Sequence, residues 1–236
     1  QGKFKQTIIS FPSNIKNALL LGTINPVVYY LVLFEAYARL PAQVAQPINY
    51  TWAITLALLS VPILKHKLHK KDLIGLFLGY TGVIVISIAG KNVTGSLDYL
   101  GLFLALFSTL LWALFWLLNT KNSLDPIISL FHNFLISLPI LFILLIIFPQ
   151  AALDTSAISL FSLLYVGLFE MGITFVLWQM ALHHTKNTAR IGTLIFLSPF
   201  ISLFLINLVL EEPLQGLTFV GLGFIIAGVW LAQKKG

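Results

Sequence analysis

The stretch that decides the fold is 31–88, LVLFEAYARLPAQVAQPINYTWAITLALLSVPILKHKLHKKDLIGLFLGYTGVIVISI, because a second version of it returns at 176–231. The second copy reads VLWQMALHHTKNTARIGTLIFLSPFISLFLINLVLEEPLQGLTFVGLGFIIAGVWL. Matched positions stand 145 or 146 residues apart: Ala36 with Ala181, Gly75 with Gly221, Gly82 with Gly228, and Val83 with Val229. A near-constant offset over this length indicates an internal repeat.

Composition restricts the protein to the membrane class. The chain is 58% hydrophobic and only 9% charged, against roughly 25% charged in soluble domains. Apolar runs of about 18 residues or more recur along it, which predicts several membrane-spanning helices. The absence of cysteine excludes disulfides and thiolate metal sites. The net charge of +6 needs no nucleic-acid partner, because the lysines cluster in loops between apolar segments.

We predict eight spanning helices, named spans A to H. Their ranges are 15–38 for A, 42–64 for B, 72–89 for C, 97–119 for D, 126–148 for E, 158–182 for F, 187–210 for G and 214–232 for H. Each range supplies the roughly 20 helical residues that a hydrocarbon core about 30 Å thick requires. The fold class is therefore all-α, a polytopic membrane helix bundle.

The distribution of lysine and arginine predicts the orientation. With the N-terminus in the cytoplasm, 12 of the 14 basic residues lie on the inner side, and only Arg39 and Lys91 lie outside. This is the asymmetry that the positive-inside rule describes, and it places both ends of the chain in the cytoplasm. Matched spans (A and F, B and G, C and H) are five helices apart, and an odd offset inverts the second copy. Inverted repeats of this kind are typical of secondary transporters.

The motifs of both copies resemble the EamA-type family of the drug/metabolite transporter superfamily. They are LPAQVAQPINYTWAI and GLFLGYTGVIVI in the first half, and LFSTLLWALFWLL, LSPFISLFLINLVLEEPL and GLGFIIAGVWL in the second. The first copy departs from the family pattern at Ala53, where proline is common, and at His66 and Lys67, near the usual acidic position. The INYTWAI segment is also similar to the matching helix of amino-acid exporters in this family.

The resemblance implies ten helices in two inverted halves of five. We therefore expect an incomplete first repeat of three helices at 1–92, a complete second repeat of five at 93–236, and two helices absent before span A. It also implies a central cavity lined here by spans A, B, D, F and G.

The implied function is a secondary-active transporter that exports or exchanges a small metabolite, such as an amino acid, by alternating access. The expected setting is the inner (cytoplasmic) membrane of a bacterium or archaeon. The expected partners are the substrate, membrane lipid and a proton as the coupling ion. We expect neither an enzyme nor a cofactor. The alternative is a non-transporting membrane fragment or scaffold.

Glu170 is the first candidate for substrate binding or coupling. It lies in the middle of span F between Gly167 and Gly172. A carboxylate at this depth costs about 2.5–3.5 kcal/mol on insertion scales, so it needs a cavity, a partner or a proton. These properties suit a proton relay or an amine-binding site. The alternative is a protonated structural carboxyl that hydrogen-bonds to a neighbouring helix.

The other candidates are polar or aromatic residues at mid-span. Asn49, Tyr50 and Trp52 follow Pro47 in span B, and broken helices near the midplane often line sites. Ser198 and Pro199 are the equivalent element of span G, Trp112 and Trp116 share one face of span D, and Gln179 lies in span F. The alternatives are packing between helices for the first two groups, an interfacial belt for the tryptophans, and helix-to-helix hydrogen bonds for Gln179, His132 and Asn133.

Glycines at seven-residue spacing mark the last span of each copy. Gly75 and Gly82 in span C and Gly221 and Gly228 in span H let helix backbones approach closely, which predicts packing or a homodimer contact rather than a ligand site. No phosphate-binding loop, nucleophile triad or metal-ligand spacing is present in the sequence, so we expect no metal and no ATP-driven step.

Overall fold

The computed structural model describes residues 2–64, 70–94, 98–148, 156–177, 198–211 and 214–233. The helices in these ranges are α1 (Gly2–Gly22), a segment π1 kinked at Asn25 (Thr23–Val28), α2 (Tyr29–Arg39), α3 (Ala42–Asn49), α4 (Trp52–Leu64), α5 (Lys70–Thr94), α6 (Tyr99–Thr120), α7 (Pro126–Ile147), α8 (Ala157–Tyr165), a π-helical segment π2 (Val166–Thr174), α9 (Ser198–Leu210) and α10 (Gly216–Gln233). No β-strand occurs in the ranges described, so the all-α prediction is confirmed.

Four described helical stretches are long and apolar enough to cross a membrane: Lys5–Arg39, Tyr99–Asn119, Pro126–Ile147 and Ala157–Leu177. Shorter apolar helices cover Leu73–Ala89, Ile201–Leu210 and Gly216–Leu231. The surface of these helices is apolar. Large apolar side chains are exposed along most of these helices, as expected where lipid rather than water is the surrounding medium.

The described ends of spans B, D, E and H lie within two residues of the prediction, whereas α5 runs five residues beyond the predicted end of span C. The predicted end of span F and start of span G lie outside the described residues. Span B begins at Ala42 and ends at Leu64 as predicted, with a break after Asn49. Span A was predicted to begin at residue 15, but α1 begins at Gly2 and runs through Pro12. Packing explains the difference: α7 lies along this first part of α1, and tertiary contacts outweigh the local helix-breaking preference of proline.

The chain forms two compact units. Unit 1 contains residues 1–27 and 119–188, and unit 2 contains residues 28–118 and 189–236. These units are defined by spatial contacts between residues, whereas the predicted repeats, 1–92 and 93–236, are defined by sequence similarity. The two repeats remain a prediction.

In unit 2, α5 and α10 are the pair with the closest backbone approach. A Cβ atom on Gly82 would collide with the carbonyl oxygen of Gly221, and one on Gly228 would collide with the carbonyl oxygen of Gly75. Because the residue number rises along α5 as it falls along α10, the helices are antiparallel. The glycines predicted to serve packing do so within the chain.

The core of unit 2 is aliphatic. Ala36, Ile48, Ile54 and Ile86 are fully buried there, and Ile225 of α10 packs against them. At one end of the unit Arg39 binds Glu35, with Nε and Oε1 2.7 Å apart, and reaches Asp98 at 3.7 Å. The Glu35–Arg39 pair lies within α2 and has the spacing of one helical turn. The Arg39–Asp98 contact connects the end of α2 with the residue before α6.

Unit 1 is built on the contact of α1 with α7. Lys3 near the start of α1 binds Asp125 with Nζ 3.1 Å from Oδ2. Asp125 also caps α7, because its Oδ1 accepts hydrogen bonds from the backbone amides of Ile127 and Ile128. Further along, Gly22 lies against the backbone of Asn133 so closely that any side chain at Gly22 would collide with it.

Candidate functional site

The first candidate site lies in unit 2 at the break between α3 and α4. Pro47 has no amide hydrogen, and regular α-helix stops at Asn49 and resumes at Trp52. Across the break Thr51 donates its backbone amide to Ile48 with N and O 3.0 Å apart, a tighter turn than an α-helix makes. The break therefore presents the side chain of Asn49 toward neighbouring helices.

Asn49 connects α2, α3 and α6 through its side-chain amide. Its Nδ2 donates to Ser108 Oγ at 2.8 Å, and its Oδ1 accepts from the Tyr29 hydroxyl at 3.4 Å. Ser108 in turn donates to the carbonyl of Ala105 at 2.7 Å. One amide hydrogen and one lone pair of Asn49 remain for a further polar group, since a carboxamide offers two donors and two lone pairs.

Four aromatic rings cluster next to the Tyr29–Asn49 hydrogen bond. The Tyr29 and Trp112 ring centroids are 4.6 Å apart, Trp52 meets Trp112 edge-on at 6.5 Å, and Trp116 meets it edge-on at 5.6 Å. Trp112 is thus the centre of the group. We call Tyr29, Asn49, Trp52, Ser108, Trp112 and Trp116 the helix-break site.

The helix-break site combines a cluster of aromatic rings with one neutral polar side chain, the Asn49 amide. Indole and phenol faces attract ammonium groups and stack against flat apolar groups. Asn49 can donate to a carboxylate or accept from an amine. A second polar contact, Thr55 Oγ1 to Thr109 Oγ1 at 2.9 Å, ties α4 to α6 just beyond the site and holds both helices in place.

Four of the nine predicted site residues lie together in the helix-break site: Asn49, Trp52, Trp112 and Trp116. Tyr50 is half-buried at the end of α3. Ser198 and Pro199 are the first residues of α9. Glu170 lies in π2 of unit 1 with an exposed side chain. Gln179 lies outside the described residues.

Tyr29 and Ser108 belong to the site but were not predicted. A signal for Ser108 was present: it stands four residues before Trp112 and so shares its helix face. Tyr29 gave no such signal. Its place beside Trp112 depends on how α2 packs against α6, which no local pattern in the sequence specifies.

Unit 1 holds a second polar group, centred on the fully buried His132. His132 Nε2 is 2.9 Å from the carbonyl oxygen of Thr7, and His132 Nδ1 is 3.1 Å from Asn14 Nδ2. The Asn14 Oδ1 accepts from Asn122 Nδ2 at 3.3 Å, and the Oδ1 of Asn122 accepts from the backbone amide of Leu124 at 3.2 Å. His132 thus bonds across helices, as one reading of the sequence predicts.

This series of hydrogen bonds ends at two backbone groups, the amide of Leu124 and the carbonyl of Thr7. These two groups fix the direction of each bond between them. The amide of Leu124 can only donate, so Asn122 presents its oxygen there and its nitrogen to Asn14. Asn14 then turns its own nitrogen to His132 Nδ1, which accepts. The Thr7 carbonyl can only accept, so Nε2 carries the proton. His132 thus belongs to a structural network that ties α1 to α7.

No group of three or more His, Asp or Glu side chains converges to hold a metal ion within the described part of the chain. A cavity of about 170 Å³ lies beside the His132 network in unit 1, lined by Thr7, Ile8, Phe11, Phe131, His132 and Leu135. Its lining is largely apolar.

The sequence model of the EamA-like transporter family matches residues 2–88 and 99–233. Both matched segments contribute to the helix-break site, the first through Tyr29, Asn49 and Trp52 and the second through Ser108, Trp112 and Trp116. No solved structure matches the chain.

Several proteins named as transporters are similar over most of the chain. The uncharacterized transporter YvbV of Bacillus subtilis (strain 168) is 26% identical over 92% of the chain and 71% of its own length. YetK of the same organism, also an uncharacterized transporter, is 29% identical over 78% of the chain and 58% of its length. An uncharacterized transporter of Acidianus ambivalens is 30% identical over 72% of the chain and 66% of its length.

Proposed function

This chain belongs to the EamA-like transporter family, and we propose that it is a secondary-active carrier that exports or exchanges a small metabolite such as an amino acid by alternating access. It is a multi-pass membrane protein whose helices match the family along most of their length. The substrate, the direction of movement and the mechanism are the proposal, and the helix-break site is the observation that carries it.

The contact of α5 with α10 supports an inverted repeat. Gly82 lies against Gly221, and Gly75 lies against Gly228. When each residue is exchanged for its counterpart 146 positions away, the first contact becomes the second. Equivalent helices that pack antiparallel in this reciprocal way are expected if a local two-fold axis in the membrane plane relates the two copies. Rocking of the two halves about such an axis would expose the site to each side in turn.

Contacts at the helix ends support the proposed orientation, with both chain ends in the cytoplasm of a bacterial or archaeal cell and the protein in its inner membrane. Lys3, predicted to lie on the inner side, binds Asp125, the residue before predicted span E, within unit 1. Arg39, predicted to lie on the outer side, contacts Asp98 at the start of predicted span D within unit 2. In addition, antiparallel packing puts the Lys70 end of α5 and the Glu211 turn before α10 at opposite ends of the helix pair.

The side chains of the helix-break site support an amino acid or a related amphipathic metabolite as substrate. Trp112, framed by Tyr29 and two further indoles, suits an ammonium group or an apolar side chain. Asn49 supplies a neutral amide for the carboxylate. In this reading Ser198, Pro199, Gln179 and Tyr50 serve the same pathway from other helices, which remains a prediction.

Counterflow in proteoliposomes tests this function. Proteoliposomes that contain the protein are loaded with unlabelled L-leucine, L-threonine or L-phenylalanine. They should accumulate the radiolabelled form of at least one of these amino acids. Replacing Trp112 by Leu removes the central ring, and we expect KM to rise about tenfold. Trp230→Leu is the matched control, because Trp230 is exposed on α10. Equal KM values for the two variants would contradict the assignment of the site.

Glu170 is proposed as the proton-coupling carboxyl. It lies in π2, and π-helical segments inside α-helices occur frequently at functional sites. Glu170→Gln keeps the shape of the side chain and removes its ability to take up a proton. We expect uptake by the variant to lose its dependence on an imposed pH gradient while exchange at equal pH persists. An unchanged response to the gradient would remove Glu170 from coupling.

A further inference from the structure

The cavity beside the His132 network is a groove between α1 and α7 of unit 1, which we call the α1–α7 groove. Its lining consists of Thr7, Ile8, Phe11, Phe131, His132 and Leu135. The groove opens outward, because Ile8, Phe131 and Leu135 are 59%, 53% and 42% exposed. Both helices belong to stretches long and apolar enough to cross a membrane. The open side of the groove therefore meets lipid.

The polar groups of the α1–α7 groove are already bonded within the protein. The two ring nitrogens of His132 bond to the Thr7 carbonyl and to Asn14. The Thr7 hydroxyl donates to the carbonyl of Lys3, with the two oxygens 2.8 Å apart. Phe11 covers the imidazole edge-on, with ring centroids 5.0 Å apart. The groove therefore suits a hydrocarbon chain rather than a polar solute, which would lose its water without gaining hydrogen bonds.

Two lysines stand at the end of the α1–α7 groove where both helices begin. Lys3 precedes Thr7 by four residues and Lys5 precedes Ile8 by three, so each is the neighbour of a lining residue on the surface of α1. Lys3 binds Asp125. Lys5 is exposed and forms no ion pair within the described part of the chain. A free ammonium one turn from an apolar groove fits a molecule with a hydrocarbon chain and an anionic head.

We propose that the α1–α7 groove binds a phospholipid with an anionic headgroup. One acyl chain lies along the apolar lining, and the Lys5 ammonium binds the headgroup phosphate. Basic groups beside membrane-spanning helices attract anionic lipid in this way. The Lys5 end of α1 is also the predicted inner side, where lysine and arginine are concentrated. This site requires only that the chain lies in a membrane, and it does not depend on which solute is carried.

Lipid titrations of the delipidated chain in detergent test this site. Phosphatidylglycerol, phosphatidylcholine with the same acyl chains, and inorganic phosphate are added separately while the melting temperature is measured. A molecule that binds the folded form raises this temperature. Phosphatidylglycerol should raise it more than phosphatidylcholine does, and inorganic phosphate should leave it unchanged. Equal increases with the two lipids would overturn the role of the headgroup, and an equal increase with inorganic phosphate would indicate an anion site and overturn the lipid.

Two pairs of variants assign the effect to the α1–α7 groove. Lys5→Gln should weaken the apparent affinity for phosphatidylglycerol about fivefold. Lys16→Gln, which removes an exposed lysine further along α1, should leave it unchanged. Ile8→Trp puts a larger side chain into the groove and should also weaken binding. Ile9→Trp is its matched control, because Ile9 is 68% exposed and does not line the groove. Equal affinities within either pair would overturn the proposal.

Discussion

Asp125 caps α7 and binds Lys3, and both contacts stabilise its ionised carboxylate. Burial alone would raise the pKa of the Asp125 carboxyl, but the hydrogen bond from Lys3 and the two amides of the helix start outweigh burial and lower the pKa. A carboxyl whose pKa is lowered by folding stabilises the fold above its unfolded pKa of about 3.9, and this stabilisation is lost as pH falls through the folded value.

Asp125→Ala should therefore lower the melting temperature at pH 7, corresponding to a loss of about 1 kcal/mol for the helix cap. Lys3→Met should have a smaller effect, because Lys3 is well exposed and exposed ion pairs contribute little. Thermal unfolding in detergent at pH 7 and at pH 3 measures both. The difference between the Asp125→Ala and wild-type melting temperatures should be smaller at the lower pH. A difference that is as large at pH 3 as at pH 7 would contradict the role of the ionised carboxylate.

Single residues of the site were partly readable from the sequence. Asn49, Trp52, Trp112 and Trp116 stand out because polar and indole groups are rare at mid-span. Asn25 of π1 was not among the predicted residues. What makes Asn25 notable is an unpaired amide, and pairing is a property of tertiary contacts that spacing along the chain does not report.

The glycines of α5 and α10 determine how closely these two helices pack. Gly82→Ala should lower the free energy of unfolding by about 1–3 kcal/mol, because the added methyl meets the Gly221 carbonyl and Ile225 backbone and side-chain atoms. Gly223→Ala is the matched control on α10, where a methyl meets nothing within 4 Å. We expect that variant to be neutral or up to about 1 kcal/mol more stable. Thermal unfolding in one detergent compares the two, and equal losses would contradict the contact.

The positions of the helices were easier to predict from the sequence than the places where the helices depart from regular geometry. Long apolar runs bounded by charged loops set the ends of α4 and α7 within a residue or two, and Asp125 before Pro126 is a helix-start signal. The early start of α1 was not predictable, because α7 stabilises a segment that Pro12 would disfavour on its own. The π-helical segment π2 likewise has no pattern in hydrophobicity, since one extra residue in a turn leaves composition unchanged.

At the scale of the whole molecule, the central claim is that the two sequence copies cross the membrane in opposite directions. The reciprocal glycine contacts of α5 and α10 support it from the structure. The count of basic residues supports it independently from the sequence. An inverted pair suits alternating access, because each half then presents the same elements to opposite sides.

Cysteine labelling in intact cells tests this claim most directly. Lys70→Cys at the start of α5 and Glu211→Cys before α10 are made singly in this cysteine-free chain and treated with a membrane-impermeant maleimide. We predict that the thiol at 211 reacts in intact cells, whereas the thiol at 70 reacts only after the membrane is permeabilised. Labelling of both thiols from the same side would contradict the inverted repeat and the carrier built on it.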